Sequence, residues 1–331
     1  MAPLPFIILV TTLAWLYDFL NGANDRANAI ATTVATRALS PPAALILAAI
    51  LNCAGALLTT RVAETIGGGI VNPAHMTQLV VVTGLLGASS WIAFCTWSGL
   101  PISVTHSLVG GLMGAGIVSG GVGVLRWKIL MDKVFLGIIL APAVGFVAGG
   151  LLLVAMFWMF RKARPKTVND LFRHGQILSA SFMAFSHGMN DAQNAMGVIT
   201  AALLTSGYLS EFKVPIWVIL GSATFMGLGT FTGGWRVMKT LGWRVAKLQP
   251  IHGFSAETGA ALAIALGSLA GMPISTTHVI SSAVMGSTAV QRFSQVKWLV
   301  ARRMFIAWVV TIPCAAIVGG FSHLLLDMIF Q

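Results

Sequence analysis

Long apolar runs alternate with short polar islands along the whole chain. Residues 43–60, 134–160 and 304–326 are apolar over lengths that cross about 30 Å of hydrocarbon as helices. The runs are continuous rather than alternating in steps of two, which predicts membrane helices and not a β-barrel. The N-terminus is apolar from its start, with no basic residue before Arg26. It lacks the positive region of a secretory signal and reads as the first membrane helix.

Two of the polar islands occur twice. NGANDRANA at residues 21–29 returns as HGMNDAQNA at 187–195, with five of nine positions identical. GLPISVTHSLVGGLMG at 99–114 returns as GMPISTTHVISSAVMG at 271–286, with eight of sixteen identical. The offsets, 166 and 172 residues, are nearly equal, so the whole half of the chain repeats. Neither motif reads as an ordinary span. Asn and Gly are poor helix-interior residues, so the first motif predicts an interrupted helix. In the second, Pro suits the first turn of a helix and Ser or Thr can cap or line that start. Only about 15 apolar residues follow, which fits a re-entrant half-helix better than a full span. The predicted fold is an all-α polytopic membrane protein with two inverted-topology repeats, built from discontinuous and re-entrant helices. A first transmembrane repeat (residues 1–160) is joined by a basic cytoplasmic linker (161–175) to a second repeat (176–331). Each half predicts about five crossings plus the re-entrant piece. Residues 117–133 are left open, because basic residues flank the following span on both sides.

Composition narrows the class. Hydrophobic residues make up 56% of the chain and charged residues 9%, which removes the soluble classes. The net charge of +11 is gathered in loops, where Lys and Arg set topology and meet anionic lipid. No soluble domain exists to bind nucleic acid. Cys53, Cys95 and Cys314 are odd in number and scattered in apolar runs, against a disulfide framework or metal cluster.

Polar residues kept twice at membrane depth point to a substrate or ion site between the halves. A half-helix start offers free N–H groups and a positive dipole end, both suited to an oxyanion. Ser103, Thr105, Ser275, Thr276 and Thr277 add hydroxyls there. Single motifs would read as plain helix caps; duplication favours the anion. Asp25 and Asp191, with Asn24, Asn28, Asn190 and Asn194, supply hard oxygens for Na⁺ or a carboxylate for a proton. Glu64 and Glu257 share a short Ala-Glu-Thr match and either contact a coupling ion or form loop salt bridges. Asp18 has no repeat partner, since Ala184 holds the equivalent place. It is a proton site or a one-sided ion ligand. His106 and His278 lack the spacing of a zinc site and read as packing residues. No ATP-binding motif is present. An intramembrane aspartyl protease is disfavoured, because no Gly-x-Gly-Asp tetrapeptide accompanies Tyr17-Asp18.

GANDRANA and HGMNDAQNA, with GLPISVTH and GMPISTTH, closely resemble the duplicated signatures of the PiT family of inorganic phosphate transporters. NAIATTVATRALSP at 28–41 looks like its bacterial branch. The resemblance implies a symporter for phosphate driven by Na⁺ or H⁺, not an enzyme, in a bacterial inner membrane, commonly as a homodimer. It implies that Asp25, Asp191 and their Asn neighbours contact the cation, Na⁺ being the expected co-transported ion. The Ser and Thr residues of the second motif would contact phosphate. Sulfate or a metal–phosphate complex is the alternative cargo. Three positions depart from the family pattern: Arg26 replaces a small residue, Val104 a hydroxyl residue, and Asn194 a Lys found in many bacterial members.

Overall fold

The computed structural model describes residues 3–330. Among them the regular structure is helical, apart from one isolated bridge between Val71 and Leu125. In the first half, α1 spans Leu4–Ala35, α2 Pro41–Ala56, α3 Arg61–Gly69, α4 Gln78–Ser98, α5 Val104–Gly120 and α6 Trp127–Met159. In the second half, α7 (Pro165–Asp191) and α8 (Gln193–Thr205) together stand for α1. There follow α9 (Ile216–Thr232), α10 (Trp235–Arg244), α11 (Pro250–Leu269), α12 (Thr276–Gln291) and α13 (Trp298–Phe330). The match extends to details. α2 and α3 meet at 72° and α9 and α10 at 62°. α6 and α13 each carry an internal proline, Pro142 and Pro313.

Several expectations are corrected. The first Asn-rich motif does not interrupt its helix; α1 runs through it, and only Ala192 breaks the second copy. The glycines there serve close approach instead. A Cβ on Gly22 would lie 2.0 Å from the Met226 carbonyl oxygen, and one on Gly188 2.1 Å from that of Asn52. Tertiary contact at these points overrides poor helix propensity. The discontinuities fall at the α2–α3 and α9–α10 bends. Pro101 and Pro273 precede the caps of α5 and α12 rather than occupying first turns. Most of the 161–175 segment is not linker, because α7 begins at Pro165. Among the described residues, four helices are long and apolar enough to cross a membrane, or six if each bent pair is one span. Residues 117–133 hold the end of α5, a short turn at Val122–Val124 and the start of α6.

The halves are not separate packing units. α5 packs on α4 and on α13, the last helix of the other half; α12 packs on α11 and on α6. Glycines make both exchanged contacts possible. Cβ atoms on Gly110 and Gly114 of α5 would strike the Ile312 and Ala316 carbonyl oxygens at 2.5 and 1.9 Å. Those on Gly145 and Gly149 of α6 would strike Val279 and Ala283 at 2.2 and 2.4 Å. Lipid tails are as apolar as the side chains, so such backbone approach, not water exclusion, holds membrane helices together. Two large apolar cores result, with a small third cluster of Leu153, Phe172 and Ile251. Val10, Ala14 and Tyr17 of α1 lie in one, and Ala27, Ile30 and Ala31 in the other. Between them α1 carries Asp18, Asn21, Asn24, Asp25 and Arg26, each 0–1% exposed.

Candidate functional site

This polar layer is where the repeated motifs meet. α4 is capped by Gly99 (φ 73°), and Gly271 (φ 68°) follows the Ala270 cap of α11; both glycines lie in the left-handed region and turn the chain sharply. A short extended segment then leads to the N-caps Ser103 and Ser275. Their Oγ atoms accept from the His106 and His278 N–H groups, both at 3.2 Å. The His106 and His278 rings touch with centroids 5.0 Å apart, so α5 and α12 meet at their first turns.

The amide of Asn28 donates to Thr277 Oγ1 at 2.9 Å, and that of Asn194 to Thr105 Oγ1 at 2.9 Å. These bonds are mirror images, each running from the first motif of one half to the second motif of the other. Thr277 Oγ1 donates onward to Asp25 Oδ1 at 3.0 Å, and Thr276 Oγ1 to Asp191 Oδ2 at 2.9 Å. A second mirrored pair joins Asn24 to Thr96 Oγ1 and Asn190 to Ser268 Oγ, both at 2.8 Å. In the orientation that satisfies its oxygen and nitrogen together, Asn190 accepts from Ser268 Oγ and its N–H donates to Asp191 Oδ1 at 3.1 Å.

His187 sits between the two aspartates. Its Nε2 lies 3.1 Å from Asp191 Oδ2 and 3.7 Å from Asp25 Oδ2, and its Nδ1 lies 3.0 Å from Asn52 Oδ1. The Asn52 amide nitrogen is used on Thr230, so Asn52 presents its oxygen and His187 Nδ1–H donates to it. Nε2 then faces two carboxylates. Three acceptors pointed at one another require a proton, on Nε2 or on one carboxylate, or a cation among them. The ligand atoms of Asp25, His187 and Asp191 lie within 4.8 Å of one another. The amide oxygens of Asn21, Asn24, Asn28 and Asn194 are buried and accept no hydrogen bond. Hard, unpaired oxygens beside two carboxylates form a donor set for a small hard cation.

A profile of the phosphate transporter family matches residues 21–167 and again 159–319. The chain belongs to this family. Relatives of the phosphate transporter family named as probable low-affinity inorganic phosphate transporters include those of Rhizobium meliloti and Bacillus subtilis. Both are 40% identical, over 98% of this chain and 98% of their own length. A solved structure described as "The sodium-dependent phosphate transporter" superposes with a TM-score of 0.88 at 27% identity. It covers 98% of this chain and 100% of that one. This phosphate transporter family member is thus a multi-pass membrane protein of a transporter class, not an enzyme.

Within this family member, the predicted residues divide. Asn24, Asp25, Asn28, Asn190, Asp191, Asn194, Thr105, Thr276 and Thr277 converge in the buried layer. Ser103 and Ser275 reach it too, with their oxygens engaged as caps. Glu64 does not: it is exposed on α3. Asp18 is fully buried with Ser222 beside it. Glu257 forms a cage of its own. Thr32, Thr33 (2.7 Å), Gln176 (3.1 Å) and Ser179 all donate to its carboxylate. The repeat offsets place Leu85, Val198 and Ile199 at the mirror positions of Glu257, Thr32 and Thr33, and all three lie in the apolar core. Val104 lacks the hydroxyl of Thr276, but its carbonyl accepts from Tyr17 Oη at 3.2 Å. Sequence reasoning missed His187. Its position inside a repeated motif was the available signal. It also missed the Thr32, Thr33, Gln176 and Ser179 cage, whose members are far apart in the chain.

The short helices after the bends of this family member are tied across the repeats. Arg61 of α3 donates to the Leu269 carbonyl at 2.7 Å, and Thr65 to that of Gly271 at 2.8 Å. Arg236 of α10 donates to the Trp97 carbonyl at 2.6 Å, and Thr240 to that of Gly99 at 2.9 Å. Each short helix is therefore latched to the turn just ahead of the other half's half-helix.

Proposed function

We propose that this chain is a symporter that carries inorganic phosphate across a bacterial cell membrane together with Na⁺, by alternating access around the buried layer. The mirrored Asn28–Thr277 and Asn194–Thr105 bonds beside Asp25 and Asp191 carry the reading. They bring two helix N-termini, hydroxyl donors and a carboxylate pair to one point, as an oxyanion with its countercharge requires. The element order repeated between halves, with the last helices exchanged, supports inverted repeats.

The geometry suggests how the two ions depend on each other. The Thr276 and Thr277 hydroxyl hydrogens are spent on Asp191 and Asp25. Phosphate entering alone would meet two carboxylates and few free donors. Na⁺ held by those carboxylates and the unpaired Asn oxygens satisfies the acceptors and releases the hydroxyls toward the anion. Phosphate in turn offsets the buried cation charge. Each ion lowers the cost of the other, which is a coupling free energy in both directions. The Glu257 cage, on the turn of α1 after Asn28, offers a further cation stop on one side only. On this reading the two latches gate the central site toward opposite faces.

Uptake of labelled phosphate into proteoliposomes tests this. Replacing Na⁺ by choline should abolish uptake even with a proton gradient applied. Asp25→Asn and Asp191→Asn should each reduce uptake about 100-fold, by loss of charge-assisted contacts at a desolvated site. Full uptake in both variants refutes the site; uptake in choline that follows the proton gradient refutes Na⁺ coupling. Equal displacement by sulfate refutes selectivity for phosphate.

A further inference from the structure

Arg26 follows Asp25 on α1, yet it takes no part in the carboxylate cluster. It is 1% exposed. Its Nη1 donates to the Gly233 carbonyl at 2.7 Å, at the α9–α10 bend. Its guanidinium carbon lies 4.1 Å from the centroid of the Trp235 ring. Nε and Nη2 meet no acceptor. Among the described residues the ion pairs at the site involve His187 and the aspartates, not Arg26. A buried guanidinium with one carbonyl partner and an aromatic face is under-compensated, because unpaired buried charge is expensive.

Tying the bend does not explain the charge. The mirror bend, between α2 and α3, is tied by a neutral side chain. Gln193 Oε1 accepts from the Val62 and Ala63 N–H groups at 2.8 and 3.0 Å. The repeat offset places Ala192 at the mirror position of Arg26, and it carries no charge. The cation is thus an addition on one side of a symmetric frame. Its unused edge, Nε–H with Nη2–H, is the parallel pair that takes two oxygens of a tetrahedral oxyanion. Trp235, itself 45% exposed, lies against the face of the same guanidinium.

We propose that Arg26 is a second, peripheral oxyanion site, a waiting station that holds phosphate beside Trp235 before it reaches the central layer. This rests on phosphate being the cargo. The bound anion takes the Nε–Nη2 edge, beside the indole. It stands one residue along α1 from Asp25, whose charge holds it back until a cation occupies the centre.

The test uses the full chain in nanodiscs, in Na⁺-free choline buffer, titrated with inorganic phosphate. Trp235 emission is obtained as the difference between the protein and its Trp235→Phe variant. A phosphate-dependent change is expected, lost in Arg26→Gln and retained in Asp191→Asn. Gln keeps a donor for the Gly233 carbonyl, so the bend stays tied while the charge and fork are lost. In proteoliposomes Arg26→Gln should raise the KM for phosphate about tenfold with kcat within about twofold, the size of one charge-assisted bidentate contact. Arg26→Lys keeps the charge without the fork and should fall between. A flat titration in the unmodified protein, or Arg26→Gln with unchanged KM and an unchanged Trp235 response, overturns the station. If phosphate uptake fails in the unmodified protein while the titration succeeds, the transport reading falls and the Arg26 site stands. If uptake succeeds and the titration is flat, only the station falls.

Discussion

Weakening one latch should tilt the protein toward one face, and weakening its mirror should tilt it back. Thr240→Val removes the 2.9 Å bond to the Gly99 carbonyl; Thr65→Val removes the 2.8 Å bond to Gly271. The threonines are the better probes, because Arg61 and Arg236 are exposed and their bonds are weakened by solvent. Thr240 is buried, and Val keeps its shape. Losing one buried neutral hydrogen bond is worth about 1 kcal/mol. That changes the ratio of latched to unlatched forms about fivefold. Electron–electron resonance between spin labels reads each end separately, after Cys53, Cys95 and Cys314 are replaced by Ala. Labels at the exposed Leu58 and Leu266 report the α3 latch, and labels at Phe94 and Phe231 the α10 latch. Thr65→Val should enlarge the long-distance population of the first pair about fivefold, and Thr240→Val that of the second. The double variant should return the ratio of the two open populations to within about twofold of its starting value, since additive opposite terms cancel. If both single variants open the same end, or the double keeps the bias of one of them, the latches are not opposed gates.

Three other outcomes follow from the geometry. Asn28→Ala and Asn194→Ala, being mirror changes, should lower phosphate uptake by similar factors of about tenfold; a loss in one and none in the other would contradict a shared site. Gly22→Ala and Gly188→Ala place a Cβ 2.0 and 2.1 Å from backbone oxygens of α9 and α2. Each should destabilise by more than about 3 kcal/mol, seen as a lower melting temperature in detergent, whereas Gly68→Ala, which meets nothing within 4 Å, should not. Glu257→Gln should leave phosphate KM at saturating Na⁺ nearly unchanged but raise the Na⁺ concentration needed for half-maximal uptake about tenfold; an unchanged Na⁺ dependence would remove Glu257 from the ion path.

Much of the site was legible because duplication marks it. Asp25, Asp191, Asn28, Asn194, Thr105 and Thr277 each have a repeat partner; the structure joins Asp25, Asn28 and Asn194 to threonines of the other half, and Asp191 to Thr276 of its own. Helix continuity was not legible. Asn and Gly in NGANDRANA argue locally for a break, yet α1 is whole. The contacts that hold it, Gly22 on Met226 and Asn24 on Thr96, come from residues more than seventy positions away. The exchange of α6 and α13 was hidden for the same reason. Repeat boundaries in sequence say which segments are related, not which pack together. Glu257 could be picked out as a carboxylate in an apolar run, but the cage that separates it from Glu64 is assembled from α1, α7 and α11.

The residues without mirror partners have a meaning of their own. A carrier built from two equivalent inverted halves has two equivalent open forms, and nothing in a symmetric frame tells one face from the other. Here the frame is closely matched: the bends, latches, caps and Asn–Thr bonds all come in pairs. Asp18, Arg26, His187 and Glu257 break the match, facing Ala184, Ala192, Asn21 and Leu85 by repeat offset. All four are charged or can be, and all four are buried. Charge buried on one side only makes the two open forms differ in energy, because each exposes a different set of groups to water. On the proposed transport reading, paired residues would define what is bound, and unpaired ones the face from which it is taken up. Swapping a symmetric residue should alter affinity from both faces alike. Swapping an unpaired one should alter affinity from one face, which uptake and efflux measured in the same proteoliposomes distinguish.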